Sequence, residues 1–355
     1  MKPSVLRLPA LGLLLCLLIC LTGCGRETLD RFFIVTAMAI DWQDGQYTVH
    51  LEGSADQLDE NKNPKAVVRR GVGSNLLQCF LDVQKQTGEY PYLRHTELVL
   101  LSDGLQSDAL GQAVDCLLNE NGVQLNARVA ACAAPAGDLL QDGEFQSQRI
   151  LKAVTKGGGT LTSADIQLRD LAFTRLEDGI DSCLPATGAE TTEGLRLLRE
   201  DQWVGSLESR LVPAFLMAGG VPRGDGLTVE AGGQSAAFRL LSSRGSIETH
   251  MEGGVPVCTV TLKTRFRAVT PADGSTARCE QALRQRLEQD LRDMLAALQE
   301  AGCDALGIGQ DLSRREPAAW AGLQAEWPDY FRRCRMVPQV HVRIVSTGRL
   351  QGGDL

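Results

Sequence analysis

The sequence is poor in histidine, in aromatic residues and in paired cysteines. Only 4 of its 355 residues are histidine, and aromatic residues make up 5% of the chain. Its 11 cysteines include no Cys-x-x-Cys pair. Because zinc sites need several closely spaced cysteine or histidine ligands, this pattern argues against a zinc module. We expect neither a metal nor a cofactor.

Positive charge and long apolar runs are also scarce. Acidic residues number 44 against 36 basic ones, which gives a net charge of −8. Proteins that bind nucleic acid usually carry a basic surplus, so no nucleic-acid partner is expected. The one dense apolar stretch, Leu11 to Leu21, is shorter than the about 20 residues of a membrane-spanning helix. A composition of 43% hydrophobic and 23% charged residues is typical of a globular protein, and the length suits two or three domains.

The apolar stretch belongs to a predicted signal peptide at residues 1–23. Lys2 and Arg7 precede it and small residues follow it, which is the order of a secretory signal. The segment Leu21–Cys24 resembles the bacterial lipobox, in which the cysteine is acylated and becomes the mature N-terminus. We therefore expect Cys24 to carry S-diacylglyceryl and N-acyl (palmitate-type) groups, which together hold a protein stably on a membrane. The alternatives are an uncleaved anchor helix, or secretion with an ordinary thiol at this position.

The other cysteines of the mature chain stand singly, mostly in apolar surroundings. Export permits disulfides, but this distribution is more typical of buried small hydrophobic residues. We leave their pairing open. The eight are Cys79, Cys116, Cys132, Cys183, Cys258, Cys279, Cys303 and Cys334.

Hydrophobic periodicity predicts alternating strands and helices in the first third of the mature chain. The helix over Ser74–Thr87 is expected to have Ser74 as its N-cap, and 56–65 is expected to be a polar loop. The other predicted elements are a hairpin of strands Phe32–Ile40 and Tyr47–Gly53, a strand Leu98–Leu101, a helix Asp108–Asn119 and a strand Leu125–Cys132.

Breaks rich in glycine or threonine follow at 156–159, 185–193 and 219–226. The last third predicts an antiparallel meander, then a long helix over Arg278–Ala301 that ends at Gly302. The strands are expected at Leu227–Glu230, Ala236–Leu241, Gly245–Glu252 and Val257–Ala268, with a closing strand at Val340–Val345. These patterns predict the α+β class.

Several segments in colinear order resemble one family. They are the lipobox, Glu27–Asp30 with the strand that follows, Tyr92–His95, Arg199–Leu207, Asp304–Gly309, Pro317, Trp320, Trp327 and Val340–Gly348. In this order they are similar to the Ger(x)C, or GerAC-like, spore germination lipoproteins of Firmicutes, the C subunits of nutrient germinant receptors. The chain departs from the family at Asn119–Asn121, where relatives often carry an Arg-Asp pair.

The resemblance implies three domains, each a mixed or antiparallel β-sheet flanked by α-helices, and no catalytic activity. After a tether at 24–28, the expected domains are an N-terminal α+β domain at 29–150, a middle domain at 151–222 and a C-terminal α+β domain at 223–349. It also implies A-type and B-type integral-membrane receptor subunits as partners. The chain would be anchored on the outer face of the spore inner membrane.

Several patterns that could mark a ligand or catalytic site have simpler interpretations. His95 lacks a nucleophile motif beside it, and His50 and His341 lack a third ligand, so all three are interpreted as structural. The glycines at 157–159 are not followed by the Lys-Ser/Thr pair that ends a phosphate-binding loop. Asp304–Gly309 follows a helix rather than a strand, so its glycines predict backbone turns and not a dinucleotide-binding site.

Trp320 and Trp327, seven residues apart, are expected on one helical face that begins at Pro317. Their packing in the core is the preferred interpretation, and a ligand platform is the alternative.

Two other functions compete with a receptor subunit. A substrate-binding lipoprotein of a transporter would need two doubly wound parallel lobes, against which the predicted meander argues. An anchored hydrolase would need a catalytic triad or a metal cluster. For a receptor subunit, the exposed C-terminal sheet and 317–331 are expected to form part of the partner interface.

Overall fold

The computed structural model describes ten stretches of the chain, which form two β-sheets covered by helices. Cys24, the predicted signal peptide and the predicted break at 156–159 lie outside them. The described residues are 32–58, 64–119, 122–132, 135–141, 143–155, 163–188, 191–220, 226–231, 234–269 and 276–346.

The first sheet has nine strands, with a parallel centre between antiparallel edges. The centre consists of β1, β5, β6 and β7, and β4 pairs with β1. The main order is β3-β2-β1-β5-β6-β7-β8-β9. The strands are β1 (Phe32–Gln43), β2 (Gln46–Leu58), β3 (Pro64–Gly73), β4 (Tyr90–Tyr92), β5 (Leu98–Ser102), β6 (Arg128–Cys132), β7 (Ser182–Thr187), β8 (Thr192–Arg199) and β9 (Gln202–Leu207).

Helices cover both faces of this sheet. Apolar side chains of α1, α2 and α4 pack into one core, and those of α3 pack into a smaller core with β1, β5 and β6. The predicted N-cap of α1 is wrong by one residue: Asn75 is the cap, and its side chain accepts from the N–H of Gln78. The helices are α1 (Leu76–Thr87), α2 (Asp108–Asn119), α3 (Gln146–Val154) and α4 (Leu168–Leu176).

The second sheet has the order β10-β11-β12-β13, antiparallel except for the last pair. The two strands predicted over 236–252 are one long strand, β11, with a bulge between Leu240 and Ser242. Gly302 ends the longest helix with φ +64, as predicted. The elements are α5 (Val212–Ala218), β10 (Gly226–Ala231), β11 (Gln234–Glu252), β12 (Val255–Ala268), α6 (Thr276–Ala301), α7 (Ile308–Arg315), α8 (Pro317–Trp320), α9 (Trp327–Arg333) and β13 (Arg335–Ser346).

The predicted α+β class is confirmed. Within the predicted break over 185–193, however, 185–187 belong to β7 and 192–193 belong to β8. Strands β7–β9 extend the first sheet, so the segment predicted as a middle domain contributes strands to the same sheet as the N-terminal segment. The domain boundaries at 150 and 222 stay a prediction. Because the second sheet is mainly antiparallel, the described residues do not form the two doubly wound lobes of a transporter's binding protein.

Candidate functional site at the junction of the two sheets

The far edge of the first sheet packs directly against the second sheet and its helices. Cys183 and Leu197 of this edge belong to the same buried cluster as Leu295 of α6 and Phe331 of α9. The opposite faces of the same strands, through Leu184 and Leu198, belong to the core of the first sheet. Strands β7 and β8 are therefore buried on both faces and join the two halves of the molecule.

Asp304 lies at the centre of this junction and is 1% exposed. One carboxylate oxygen accepts from the N–H of Ile308 at 2.8 Å, and the other accepts from the N–H of Gly309 at 2.7 Å. The second oxygen also accepts from the indole N–H of Trp327 at 2.9 Å. Burial raises the pKa of Asp304 to about 7, although these three hydrogen bonds favour the anion. The carboxylate thus fixes the first turn of α7 and the position of α9.

Asp181 connects the start of β7 to the same point. Its backbone N–H donates to the carbonyl of Asp304 at 2.9 Å, and its Oδ2 accepts from the N–H of Asp304 at 2.7 Å. Burial raises the pKa of Asp181 to about 6. Arg199, at the end of β8, donates to the carbonyl of Gly302 at 2.8 Å. Polar contacts therefore join both strand ends to the turn between α6 and α7.

Gly179 allows the two backbones to approach closely beside this pair. Its φ is +74, in the left-handed region that favours glycine. A Cβ at this position would lie 2.6 Å from the carbonyl carbon of Gly309 and 2.8 Å from the ring of Trp320. The carbonyl of Gly179 accepts from the N–H of Gln310 at 2.8 Å. Any side chain at 179 would therefore push α7 and α8 away from the first sheet.

The two tryptophans pack against each other in the core. Trp320 is in α8 and Trp327 is in α9, so the prediction that they share one helical face is wrong. Their rings nevertheless meet at 5.1 Å in a T-shaped contact, and each is 5% exposed. The interpretation as core residues is confirmed. The predicted backbone turn over Asp304–Gly309 is also present, with Gly307 at φ +72.

A polar cleft of about 430 Å³ opens beside the junction. Arg175 lies at its wall and pairs with Asp201 at 3.0 Å and with Asp115 at 3.2 Å. The cleft is also lined by Glu177, Asp178 and Glu200 and by both tryptophans. Since no histidine is among them, the cleft has no histidine base for a serine or cysteine nucleophile.

The histidines singled out in the sequence lie in three different elements of the fold. His95 ends a short 3₁₀ helix and stacks near Tyr92 at 5.7 Å. His50 lies in β2, with its ring 3.9 Å from Asp41, and burial lowers its pKa. His341 lies in β13 of the other sheet. Across the described stretches, no group of three or more His, Cys, Asp or Glu residues could hold a metal ion.

None of the eight cysteines forms a disulfide within the described residues, and every one except the half-buried Cys116 is buried. Burial raises the pKa of Cys79 and of Cys183 to about 12, so these thiols stay protonated at neutral pH. For the seven buried cysteines, this confirms the interpretation as small hydrophobic residues of the core.

The carboxyl edge of the parallel strands contains a polar cluster that the sequence reasoning missed. Ligands of open parallel sheets often bind at this edge. Here the carboxylate of Asp41 accepts from the N–H of Ala136 at 2.7 Å and from that of Gly137 at 2.9 Å. Nearby, Asp103 pairs with Arg196 at 2.6 Å. Side chains and loops of the chain itself thus occupy much of this edge. The sequence does not show that these residues lie close together, so it gave no signal for the cluster.

Two family models match this chain, one after the other along the sequence. The family model described as "Spore germination protein N-terminal domain" matches residues 25–188, and "Spore germination B3/ GerAC like, C-terminal" matches residues 193–348. The chain belongs to the GerAC-like spore germination family. Among curated proteins none matches. The solved "Crystal Structure of the GerBC protein" has the same fold, with a TM-score of 0.59 and 17% identity over 87% of this chain and 97% of that one.

The boundary between the two GerAC-like regions falls between β7 and β8. Because β8 pairs with β7 over Ser182–Thr187, a strand of the C-terminal region completes the sheet of the N-terminal region. Family membership supports a role in spore germination as a C subunit of a germinant receptor, a component of the spore inner membrane. No helix within the described residues is long and apolar enough to cross a bilayer.

Proposed function

We propose that this GerAC-like chain is a lipid-anchored, non-enzymatic C subunit of a nutrient germinant receptor in a spore-forming member of the Firmicutes. Its partners are an A-type and a B-type integral-membrane subunit. The observation that carries the proposal is the match of both family regions, in order, over 25–188 and 193–348.

The anchor in this proposal is Cys24. Residues 1–23 are removed as a signal peptide, and acyl groups on the new N-terminus insert into the outer face of the spore inner membrane. Only a few residues separate Cys24 from β1, which begins at Phe32. At about 3.5 Å per extended residue, the start of the first sheet lies within about 30 Å of the bilayer.

A binding role rather than a catalytic one is supported by how the buried carboxylates are used. Asp304 and Asp181 accept hydrogen bonds from backbone groups and from Trp327, so they organise the junction. A rigid body of this kind can present fixed surfaces to the membrane subunits.

The decisive experiment deletes the gene in its host and restores it as wild type, as Cys24→Ala or as Cys116→Ala. Spores of the deletion strain should fail to respond to at least one nutrient but should still germinate with a receptor-independent trigger. Wild type and Cys116→Ala should restore the nutrient response, and Cys24→Ala should not. Normal nutrient germination of the deletion strain, with no paralogous receptor present, contradicts the proposal.

Anchoring is tested separately by metabolic labelling with a radioactive fatty acid. Cys24→Ala should lose the label and accumulate as unprocessed precursor, whereas Cys116→Ala should keep the label. Full labelling of the Cys24→Ala protein would show that another residue carries the lipid.

A further inference from the structure

The outer face of the second sheet carries an unusual set of positive charges, which we call the basic face. The side chains on the opposite face of the same strands, such as Phe238, Leu262 and Phe266, are buried in the core. The basic face consists of Arg239 and Arg244 on β11, Lys263, Arg265 and Arg267 on β12, and Arg343 on β13, all exposed.

None of these six side chains forms an ion pair within the part of the chain that the structure describes. Several arginines elsewhere on the surface have carboxylate partners: Arg210 meets Asp293 at 3.0 Å, and Arg286 meets Asp290 at 2.9 Å. The contrast is sharp because the chain as a whole has a net charge of −8. An acidic protein thus leaves these six basic side chains without a carboxylate partner among the described residues.

The strand register places these like charges directly opposite one another. Arg239 faces Arg267, Arg244 faces Lys263, and Arg265 faces Arg343. Directly opposed like charges destabilise a sheet, so the arrangement costs the isolated protein stability. An anionic surface laid over the face would remove that cost.

The shape and the neighbouring side chains favour a bilayer. Five residues of the face and its border line a shallow depression of about 820 Å³ across three strands: Arg244, Lys263, Arg265, His341 and Arg343. Leu241, Val269 and Val345 are exposed toward the same end of these strands. Basic residues beside exposed apolar ones are typical of surfaces that lie in a lipid interface.

We propose that the basic face lies on an anionic phospholipid bilayer. Each lysine or arginine held near such a surface strengthens binding about fivefold, so several acting together hold the face on the bilayer. The proposal uses the membrane location of the proposed function but not the lipid on Cys24. It can therefore fail while lipidation and the nutrient response stand.

The test is flotation of residues 25–355 with vesicles. This part contains every residue that the structure describes, and it lacks Cys24. The vesicles are phosphatidylcholine alone, or phosphatidylcholine and phosphatidylglycerol in equal parts. The test variant is Lys263→Gln/Arg265→Gln/Arg343→Gln. The matched control is Arg210→Gln/Arg286→Gln/Arg292→Gln. It also removes three positive charges, but from arginines that lie outside the basic face and pair with carboxylates.

Wild type and control should float with the phosphatidylglycerol vesicles, less at high salt, and should not float with phosphatidylcholine alone. The test variant should partition on the order of a hundredfold less, because three charges are removed. Equal losses for both variants, or no preference of wild type for phosphatidylglycerol, would overturn the proposal. Binding to poly-glutamate without binding to vesicles would instead assign the face to an acidic protein.

Discussion

The close approach at Gly179 makes a sharp test of the junction. Gly179→Ala adds one methyl group where the backbone has φ +74 and where a Cβ would lie 2.6 Å from the carbonyl carbon of Gly309. Gly88, at the end of α1, is the matched control, since its φ is +76 and a Cβ there would meet nothing within 4 Å. The two substitutions share the backbone strain, and only one creates a clash.

The expected magnitudes follow from these contacts. A non-glycine residue in the left-handed region costs about 1 to 2 kcal/mol, and this is the whole effect expected for Gly88→Ala. At Gly179 the methyl group is far inside the usual carbon–carbon separation of about 3.5 to 4.0 Å. The backbone shifts that such overpacking forces destabilise the protein by about 1 to 3 kcal/mol more. Moving α7 away also lengthens the 2.8 Å hydrogen bond from Gln310, which contributes about 1 kcal/mol.

The assay is urea denaturation of residues 25–355, followed by tryptophan fluorescence because Trp320 lies against Gly179. Gly179→Ala should lower the free energy of unfolding by about 3 to 6 kcal/mol, and Gly88→Ala by about 1 to 2 kcal/mol. Equal losses for the two variants would show that the close approach does not hold the junction together.

Three further outcomes are expected. Burial raises the pKa of Asp304 from 3.8 to about 7, so the free energy of unfolding of the wild type should fall as the pH rises through that interval. Urea denaturation at a series of pH values should show a smaller fall for Asp304→Asn, which has no carboxyl group at this position. Arg265→Thr removes a like-charge pair with Arg343 and should raise the unfolding free energy by about 0.5 kcal/mol at low salt, with less gain at high salt. Ser147→Ala removes the hydroxyl that donates to the fully buried Glu52. It should lower the free energy of unfolding by about 1 to 3 kcal/mol, as measured by thermal denaturation.

Local patterns in the sequence predicted much of the fold. The helix over Asp108–Asn119 and the hairpin at Asp44-Gly45 were predictable because periodicity and turn chemistry act over a few residues. β3 was missed because its sequence, rich in charge and glycine, lacks a clear apolar alternation. β11 was split in two because its bulge interrupts the alternation of buried and exposed residues.

The junction could be predicted only in part. The glycines near Asp304 indicated a turn, but its partner Asp181 lies 123 residues earlier in the chain. Likewise, the pairing of β6 with β7 through Ala131 and Ala186 depends on how distant segments meet. The basic face was missed for a related reason: its six charges are spread over three segments, within a chain whose total charge is negative.

The proposed anchor and the proposed bilayer contact have different consequences for the receptor. Acyl chains on Cys24 supply enough affinity for the membrane by themselves, so the basic face is not needed for attachment. A single attachment point, however, leaves the body free to rotate about it. A second contact through the other sheet fixes that rotation, because β7 and β8, buried on both faces, join the two sheets. The basic face would then determine which surfaces are turned toward the membrane subunits, and charge removal should impair the nutrient response without releasing the protein from the membrane.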